Sequence, residues 1–331
     1  MEFDPEALTL QQMMRVQDEL GAVLQRRFGR TLALCFTDVV ESVEYFRRFG
    51  DVAGRSMQQR HFDLVQSAIA AHNGRLVDTA GDGAFFAFPD VTSAANALCD
   101  IQRGASEQNL TRPREHHLTL RGGLHWGFVL TDGASVAGDA VNLCARVAGS
   151  GKEHGLREAE LRLTRPAYQE LPPALRVRCR ALPAAHLKGV DQPVELVALE
   201  WEDQGRFPTH VRCLETGQSW PLPRRDVIGF GRIAEHEGVT ANDIVLAARD
   251  PSATSMISRW HFELRRHAEG FTLRALSDAL TEIDGVAIPK AGEVPLRVGA
   301  HVAVARVLTL VFSAPQELIG GTKLPGFGFS P

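Results

Sequence analysis

Cysteine is scarce and scattered in this chain. The five cysteines among the 331 residues are odd in number, and none forms a Cys-x-x-Cys pair. A disulfide scaffold and a cysteine zinc site are therefore excluded, and reduced, mostly buried thiols are expected. The twelve histidines show no metal-ligand spacing either.

Long apolar runs and an excess of either charge are also missing. No apolar run approaches the ~20 residues that a membrane span requires. The start, MEFD, followed by Glu6 and Asp18, lacks the basic beginning and apolar core of a secretory signal peptide. A formal net charge of −4 argues against non-specific binding of nucleic acid. We therefore expect a cytoplasmic protein with neither a membrane nor a nucleic acid as its partner.

The length predicts two domains, since single cores rarely exceed ~250–300 residues. The polar segment EDQGRFP at 202–208 separates two differently patterned halves. Residues 31–201 alternate strand-like and helix-like segments, which favours an α/β sandwich of ferredoxin-like topology. Residues 209–313 carry short strands at roughly ten-residue spacing, as in an all-β sandwich. Residues 314–331 are rich in glycine and proline and are expected to form a flexible tail.

Residues 1–30 contain an amphipathic helix. Apolar residues recur there at near-helical spacing. The polar face mixes acidic and basic residues, whereas a membrane-surface helix would be mainly basic. This helix is expected to pack on its own domain or on a partner subunit.

Two aspartates at the ends of predicted strands are the first candidates for chemistry. The segment 76–88, LVDTAGDGAFFAF, predicts a hairpin with Asp82 at its tip, and the apolar run 32–38 ends in Asp38. Mg²⁺ is usually held by one or two carboxylates plus substrate phosphates, so neighbouring strands could bring these two acids to one cation. The alternative is an aspartate that only decorates a surface turn.

Four segments in order make the first domain similar to the class III nucleotidyl cyclases, which make cyclic AMP or cyclic GMP. They are FTDVVES at 36–42, TAGDG at 79–83, GDAVNLCAR at 138–146 and LKG at 187–189. The likeness covers about residues 32–201.

The resemblance implies a role for each matched residue. Asp38 and Asp82, together with Val39, would hold two Mg²⁺ or Mn²⁺ ions at each active site. Asn142 would orient the ribose, and Arg146, one helical turn later, would stabilise charge on the phosphoryl group. The resemblance further implies that Lys188 reaches the terminal phosphates. It also implies a head-to-tail homodimer with active sites at the subunit interface.

The residues at the base-reading positions are Asp78 and Ser135. Adenylate cyclases usually have a lysine at the first position, whereas guanylate cyclases have a glutamate there. A carboxylate accepts hydrogen bonds from guanine, while adenine N1 is itself an acceptor. Bacterial members mostly make cyclic AMP, so ATP is the expected substrate and GTP the alternative.

The second domain is similar to the forkhead-associated (FHA) domains, which bind phosphothreonine peptides. The matching segments are GR at 231–232, NDIVL at 242–246, SRWH at 258–261 and TEIDG at 281–285. Arg232, Ser258 and Arg259 would bind the phosphate. The family's peptide-gripping asparagine falls near Ala279, which has no donor.

Together the two resemblances predict a metal-dependent cyclase coupled to a phosphopeptide-binding domain. A Ser/Thr kinase or another phosphothreonine-containing protein is the expected partner. Two alternatives remain open: a catalytically silent cyclase fold that senses nucleotide, and a sandwich domain that only contacts the cyclase.

Overall fold

The computed structural model describes residues 8–151, 156–157, 159–202 and 204–314. It divides into two compact units. The first comprises Met1–Ile101 and Thr119–Leu199, and the second comprises Gln102–Leu118 and Glu200–Pro331. The predicted tail therefore lies outside the described residues, apart from Ala314.

Helices occur mainly in the first unit. They are α1 (Leu10–Phe28), α2 (Ser42–Ala71), α3 (Val91–Asn109), α4 (Asp139–Gly149), α5 (Arg165–Glu170), α6 (Pro173–Arg176) and α7 (Pro251–Met256). The last part of α3, from Gln102, is counted with the second unit.

One eight-stranded sheet forms the centre of the first unit. Its strands are β1 (Gly29–Val39), β2 (Arg75–Ala80), β3 (Gly83–Phe88), β4 (Leu120–Thr131), β5 (Val136–Ala137), β6 (Leu161–Thr164), β7 (Cys179–Ala181) and β8 (Leu196–Leu199). The order is β2-β3-β1-β4-β6-β8-β7, with β5 paired to β4. The pairs are antiparallel except β4 with β6.

The second unit is built from short strands. They are β9 (His210–Cys213), β10 (Ser219–Pro221), β11 (Val227–Gly231), β12 (Glu235–His236), β13 (Val239–Thr240), β14 (Ile244–Val245), β15 (Phe262–His267), β16 (Gly270–Ala275), β17 (Thr281–Ile283), β18 (Val286–Ile288), β19 (Glu293–Leu296), β20 (His301–Val304) and β21 (Leu308–Ser313).

Two sheets of the second unit share one apolar core. The six-stranded sheet has the order β10-β9-β21-β20-β17-β18, and the five-stranded sheet has the order β14-β11-β15-β16-β19. Phe230 stacks on Phe262 at 4.5 Å between ring centroids, and Phe312 from the other sheet meets Phe230 edge-on. The expected α/β unit followed by an all-β sandwich is confirmed.

Helix α1 forms with local support but buries no side chain. Thr9 and Gln12 make a reciprocal capping box, which satisfies two of the free amides at the start of the helix. The apolar face remains exposed in the single chain, including Leu10 at 75%. The expected packing of this helix on its own domain is therefore not seen in these residues, and a partner subunit stays a prediction.

The sequence pattern predicts a helix from Glu41 to His72 with an interruption near Gly50, and α2 is broken at that residue. Gly50 has φ +81° within an otherwise continuous helix. That left-handed backbone is accessible to glycine at little cost, whereas a side chain would strain it.

The sequence pattern predicts a loop at 108–115 and single strands at 177–187 and 302–312, and the structure differs at each. The predicted loop at 108–115 begins later, because the Asn109 side chain bonds both the amide and the carbonyl of Leu118 and so extends α3. The predicted strand at 177–187 is reduced to β7 and a bridge at Ala185. The predicted strand at 302–312 is two strands, since Ala305 and Arg306 both have positive φ and turn the chain.

His125 on β4 predicts an acid-sensitive first unit. Burial lowers the pKa of His125 to about 4, whereas an unfolded histidine titrates near 6.5. The unfolded chain thus binds a proton that the folded chain does not, so stability falls as the pH drops below 6.5. By pH 5 the loss from this residue is about 2 kcal/mol.

We expect His125→Gln to remove that contribution. The measurement is the free energy of unfolding in urea for both proteins at pH 5, 7 and 8. The free energy of unfolding of the wild type minus that of the variant should fall by about 2 kcal/mol from pH 7 to pH 5. It should stay constant from pH 7 to pH 8. A difference that does not change with pH would show that the folded imidazole is not held neutral.

Candidate functional site

The two candidate metal aspartates lie next to each other in the first unit. Antiparallel pairing of β1 with β3 sets Thr37 opposite Ala84, so Asp38 at the end of β1 faces the turn that holds Asp82. The charge of Asp82 raises the pKa of Asp38, which places the two carboxyl groups close together. The structure therefore brings together the pair that the sequence proposed.

The Asp38 carboxylate is partly desolvated and partly neutralised. Burial raises the pKa of Asp38, the hydrogen bond from Arg121 lowers it, and the charge of Asp82 raises it further. Arg121 stands opposite Asp38 on β4 and donates its Nε to Oδ2 at 2.9 Å. The guanidinium thus supplies positive charge where two acids meet.

Asp82 is held by its main chain and keeps one carboxylate oxygen unsatisfied. His61 Nδ1 lies 2.8 Å from the Asp82 carbonyl, and His61 Nε2 lies 2.9 Å from the Thr37 hydroxyl. Oδ2 of Asp82 is buried without a hydrogen-bond partner among the described residues. A buried carboxylate oxygen of this kind costs free energy unless a cation or a donor meets it.

The donor set fits a magnesium-type cation. Two carboxylates and no cluster of three or more His, Cys, Asp or Glu occur here within the described residues. Magnesium commonly binds through one or two carboxylates and completes its shell with water and substrate phosphates. Val39 has a buried aliphatic side chain, so only its main-chain carbonyl could serve as a ligand.

Helix α4 presents Asn142 and Arg146 on one exposed face. The opposite face is anchored to the sheet by Cys144, whose thiol donates to the Leu34 carbonyl at 3.0 Å. The Arg146 guanidinium donates to the carbonyl of Gly189 at 3.1 Å. Lys188, which directly precedes Gly189, is exposed. The structure thus brings the third and fourth motif segments together, whereas Arg146 contacts neither aspartate among the described residues.

The two base-reading candidates are exposed and make only local side-chain bonds. Asp78 follows a register shift in β2, and its Oδ1 accepts the Thr79 amide at 2.7 Å. The Ser135 hydroxyl donates to Asp132 at 3.1 Å. Their segments are neighbours, since Arg75 on β2 donates to the Gly133 carbonyl at 2.7 Å. No hydrogen bond joins Asp78 to Ser135 within the described part of the chain.

A cavity in the second unit contains the three candidate phosphate ligands. Arg232, Ser258 and Arg259 line a concavity of about 360 Å³, with Trp260 beside them. Arg232 and Arg259 are exposed, and the Arg259 guanidinium lies 5.4 Å from the centroid of the Trp260 ring. Two exposed guanidinium groups and a hydroxyl form a suitable environment for a phosphate dianion.

Buried polar residues hold the loops of this cavity. Asn242 Nδ2 donates to the carbonyls of Ile233 and Arg259 at 2.8 and 2.7 Å. His261 is fully buried, accepts the Ser258 amide at 3.2 Å and lies 3.3 Å from the Leu280 carbonyl.

A side chain at Gly231 would collide with the chain that carries Arg259. A Cβ at this position would lie 2.1 Å from the Arg259 carbonyl oxygen, so only glycine fits beside that loop. Sequence reasoning gave Arg232 a role but none to the glycine before it beyond its place in the motif.

Sequence reasoning did not assign roles to Arg121, His61 or Asn242. Arg121 and His61 reach the aspartates through strand pairing and helix packing, which no local sequence pattern reveals. Asn242 was quoted as part of a motif but given no function.

No helix in the part of the chain that the structure describes combines the length and apolar character of a membrane span.

Comparison with known proteins finds both a match to the FHA domains and adenylate cyclase relatives. Residues 228–305 match the FHA domain family. The "Putative adenylate cyclase 3" of Rhizobium meliloti (strain 1021) is 23% identical over 222 residues, which cover 64% of this chain and 35% of that protein. The "Adenylate cyclase" of Streptomyces coelicolor is 29% identical over 209 residues, covering 60% of this chain and 49% of that protein. The chain thus spans half or less of the length of these relatives.

Among solved structures, the adenylyl cyclase CyaB from P. aeruginosa is 17% identical with a TM-score of 0.43, covering 52% of this chain and 94% of that one. The sequence relatives and the FHA match agree with the two resemblances read from the sequence. The relatives support a class III cyclase domain, of adenylate or guanylate type, and the family match shows an FHA domain after it.

Proposed function

We propose that the first unit, as a homodimer, converts ATP to 3′,5′-cyclic AMP and pyrophosphate. The observation that carries this proposal is the meeting of Asp38 and Asp82, where one buried carboxylate oxygen of Asp82 has no hydrogen-bond partner in the described parts of the chain. A site that only stabilised the fold would be expected to satisfy that oxygen with a donor.

Asp38 and Asp82 would hold Mg²⁺ or Mn²⁺, with the Val39 carbonyl as a further ligand. When bound there, the cations supply acidification of the ribose 3′-hydroxyl and neutralisation of the leaving pyrophosphate. Arg121 donates to Oδ2 of Asp38 from both Nε and a terminal nitrogen, which leaves Oδ1 available as a ligand. The Arg121 guanidinium also lies beside the site, where it can donate to phosphate oxygens.

Arg146, Asn142 and Lys188 would act on the substrate itself. Attack at the α-phosphate leaves charge growing on the phosphoryl oxygens, and a positioned guanidinium stabilises it. Arg146 is exposed and adjoins the segment that carries Lys188, so both cations are available to one triphosphate. Asn142 shares the exposed face of α4 and can orient the ribose through its amide.

A composite site at the subunit interface accounts for the separation of these groups. The Arg146 guanidinium donates to Gly189 and to neither aspartate among the described residues. In a head-to-tail dimer, the aspartates of one chain would meet Asn142 and Arg146 of the other. Each dimer would then contain two equivalent sites.

Mixing two inactive variants tests this arrangement. Asp38→Asn and Arg146→Ala should each lower turnover at least about a hundredfold. In an equimolar mixture, half of the dimers combine the two variants, and each of those has one intact site. The expected activity is about a quarter of wild type, measured as cyclic nucleotide formed after the subunits have exchanged.

The matched control is a mixture of Asp38→Asn with Asp82→Asn, which cannot create an intact site. Failure of the first mixture to recover activity, with exchange demonstrated, would place all four residues within one chain. Absence of cyclic product from both ATP and GTP in the dimeric wild type would instead favour a silent nucleotide-sensing scaffold.

The choice of base depends on Asp78 and Ser135. Asp78 is exposed, and one of its oxygens already accepts the Thr79 amide. We propose ATP as the substrate and guanylate cyclase activity as the alternative, since a carboxylate pairs better with the donors of guanine.

Asp78→Lys should raise the ratio of ATP to GTP turnover about tenfold or more, because lysine donates to adenine N1 and repels no acceptor there. The measurement is kcat/KM for both triphosphates. Asp51→Lys makes the same charge change at an exposed position of α2 and should leave the ratio unchanged. An equal ratio in all three proteins would show that Asp78 does not face the base.

For the second unit we propose recognition of a phosphothreonine peptide, coupling the cyclase to a Ser/Thr kinase or its substrate. The two guanidinium groups and the hydroxyl of the 360 Å³ cavity support this assignment. Ala279 offers no side-chain donor for the peptide backbone, so the phosphate would contribute a large share of the affinity.

Arg232→Ala should weaken binding of a phosphothreonine peptide about ten- to a hundredfold, the loss expected for a charge-assisted hydrogen bond. Fluorescence anisotropy with a labelled peptide measures it, with the unphosphorylated peptide as the blank. Arg212→Ala, an exposed arginine on β9, should bind like the wild type. Equal binding by wild type and Arg232→Ala would contradict the proposal.

A further inference from the structure

A second, larger cavity adjoins the phosphate-binding cavity within the second unit. It has a volume of about 510 Å³ and is lined by residues from the 110–117 segment and from the outer face of the five-stranded sheet. Trp260 lines both this cavity and the phosphate-binding cavity. A chain leaving the phosphate site past Trp260 would therefore enter it. We call it the basic cavity because of the charges described next.

Four arginines line the basic cavity against two acids. The cations are Arg112, Arg114, Arg265 and Arg274, and the acids are Asp243 and Glu263. His117 adds no charge near pH 7, since burial lowers its pKa. The lining therefore carries a net charge of about +2, in a protein whose net charge is −4.

Two of these arginines are partly paired. Arg114 contacts Asp243, and Arg265 donates to Glu293 at 3.2 Å and to the Leu110 carbonyl. Glu263 lies 3.5 Å from Arg265 Nε and 3.8 Å from Arg274, which are ion-pair distances without hydrogen bonds. Nε of Arg265 and Nε of Arg114 are both buried and lack a hydrogen-bond partner among the described residues. Arg112 is exposed at the rim. The accessible guanidinium groups of Arg112 and Arg274 favour an anionic ligand that brings oxygen acceptors.

The cavity wall also offers an acceptor. Asn242 is 4% exposed, and its Oδ1 has no partner among the described residues, while Nδ2 holds two carbonyls. A peptide supplies both kinds of group that this wall lacks, namely carboxylates for the arginines and backbone N–H groups for Asn242. An inorganic anion would supply only the first.

From these observations we propose that the basic cavity binds an acidic stretch of the phosphothreonine partner, next to the phosphorylated residue. The inference rests on the phosphopeptide function proposed above and specifies its partner: a protein phosphorylated on threonine within or beside a run of Asp or Glu. Electrostatic complementarity here would give specificity among phosphopeptides that the phosphate site alone cannot distinguish.

The test compares two kinds of phosphothreonine peptide on the intact protein. One carries the phosphothreonine among alanines. The other adds a short run of glutamates, on the N-terminal side in one version and on the C-terminal side in a second. For the wild type we expect at least one acidic peptide to bind about tenfold more tightly than the alanine peptide. That advantage should shrink as salt is raised, because these charges are partly exposed.

Arg112→Gln and Arg274→Gln, singly and combined, remove charge from the cavity without touching the phosphate site. The double variant should lose most of the acidic peptide's advantage and bind the alanine peptide as the wild type does. Arg212→Gln, the same change on the opposite sheet, should keep the advantage. Arg112 is exposed, so its single variant tests the inference even if Arg274→Gln destabilises the fold.

The possible failures are distinguishable. Binding of neither peptide would overturn the phosphopeptide function and this inference with it. Equal affinity of both peptides for the wild type would overturn the acidic-partner inference alone. An advantage that survives in the double variant would also overturn it, since the discrimination would then arise outside the basic cavity.

Discussion

The pairing of β1 with β3 is the constraint on which the candidate active site depends. It sets Phe36 opposite Phe85 and Thr37 opposite Ala84, so the next residue of β1, Asp38, arrives beside the turn before β3. A slip of one residue would turn Asp38 to the other face of the sheet and separate the two carboxylates. Buried aromatic residues fix the register: all six residues of β3 are buried, and the rings of Phe36 and Phe85 stack at 5.7 Å. The catalytic proposal thus rests on core packing as much as on the acids themselves.

In both units, buried polar side chains hold the backbone next to the candidate site residues. His61 connects the Thr37 hydroxyl with the main chain of Asp82 in the first unit. Asn242 connects two loop carbonyls in the second. Such residues position the site without touching its ligand, because a buried hydrogen bond fixes the backbone more firmly than an exposed one. A polar residue in a strand or helix can therefore be functional through the backbone it holds.

Turns and helix breaks, which depend on a few neighbouring residues, were predicted from the sequence. Side chains that are brought together by strand order were missed. The Asp82 hairpin, the glycine opening of α4 and the Gly50 break all follow from turn and helix chemistry read over a few residues. Arg121 could not be found in this way, since its meeting with Asp38 depends on strand order across the sheet. The basic cavity was missed for the same reason: its arginines come from residues 110–117 and from two strands more than a hundred residues later. Side chains that converge only through topology leave no spacing to read.

The conformation of the turn between β2 and β3 fixes the direction in which Asp82 points. Gly81 has φ +63°, and a Cβ on Gly83 would lie 3.1 Å from the ring of Phe36, so the chain passes between a left-handed residue and an aromatic wall. An inserted residue could be accommodated by the hairpin, as loops often are, but it would rotate Asp82 away from its neighbour. Relatives with a longer turn should therefore have lost the carboxylate pair while keeping the fold. An unlengthened Gly-Asp-Gly turn, as at 81–83, then marks a chain whose two aspartates can meet.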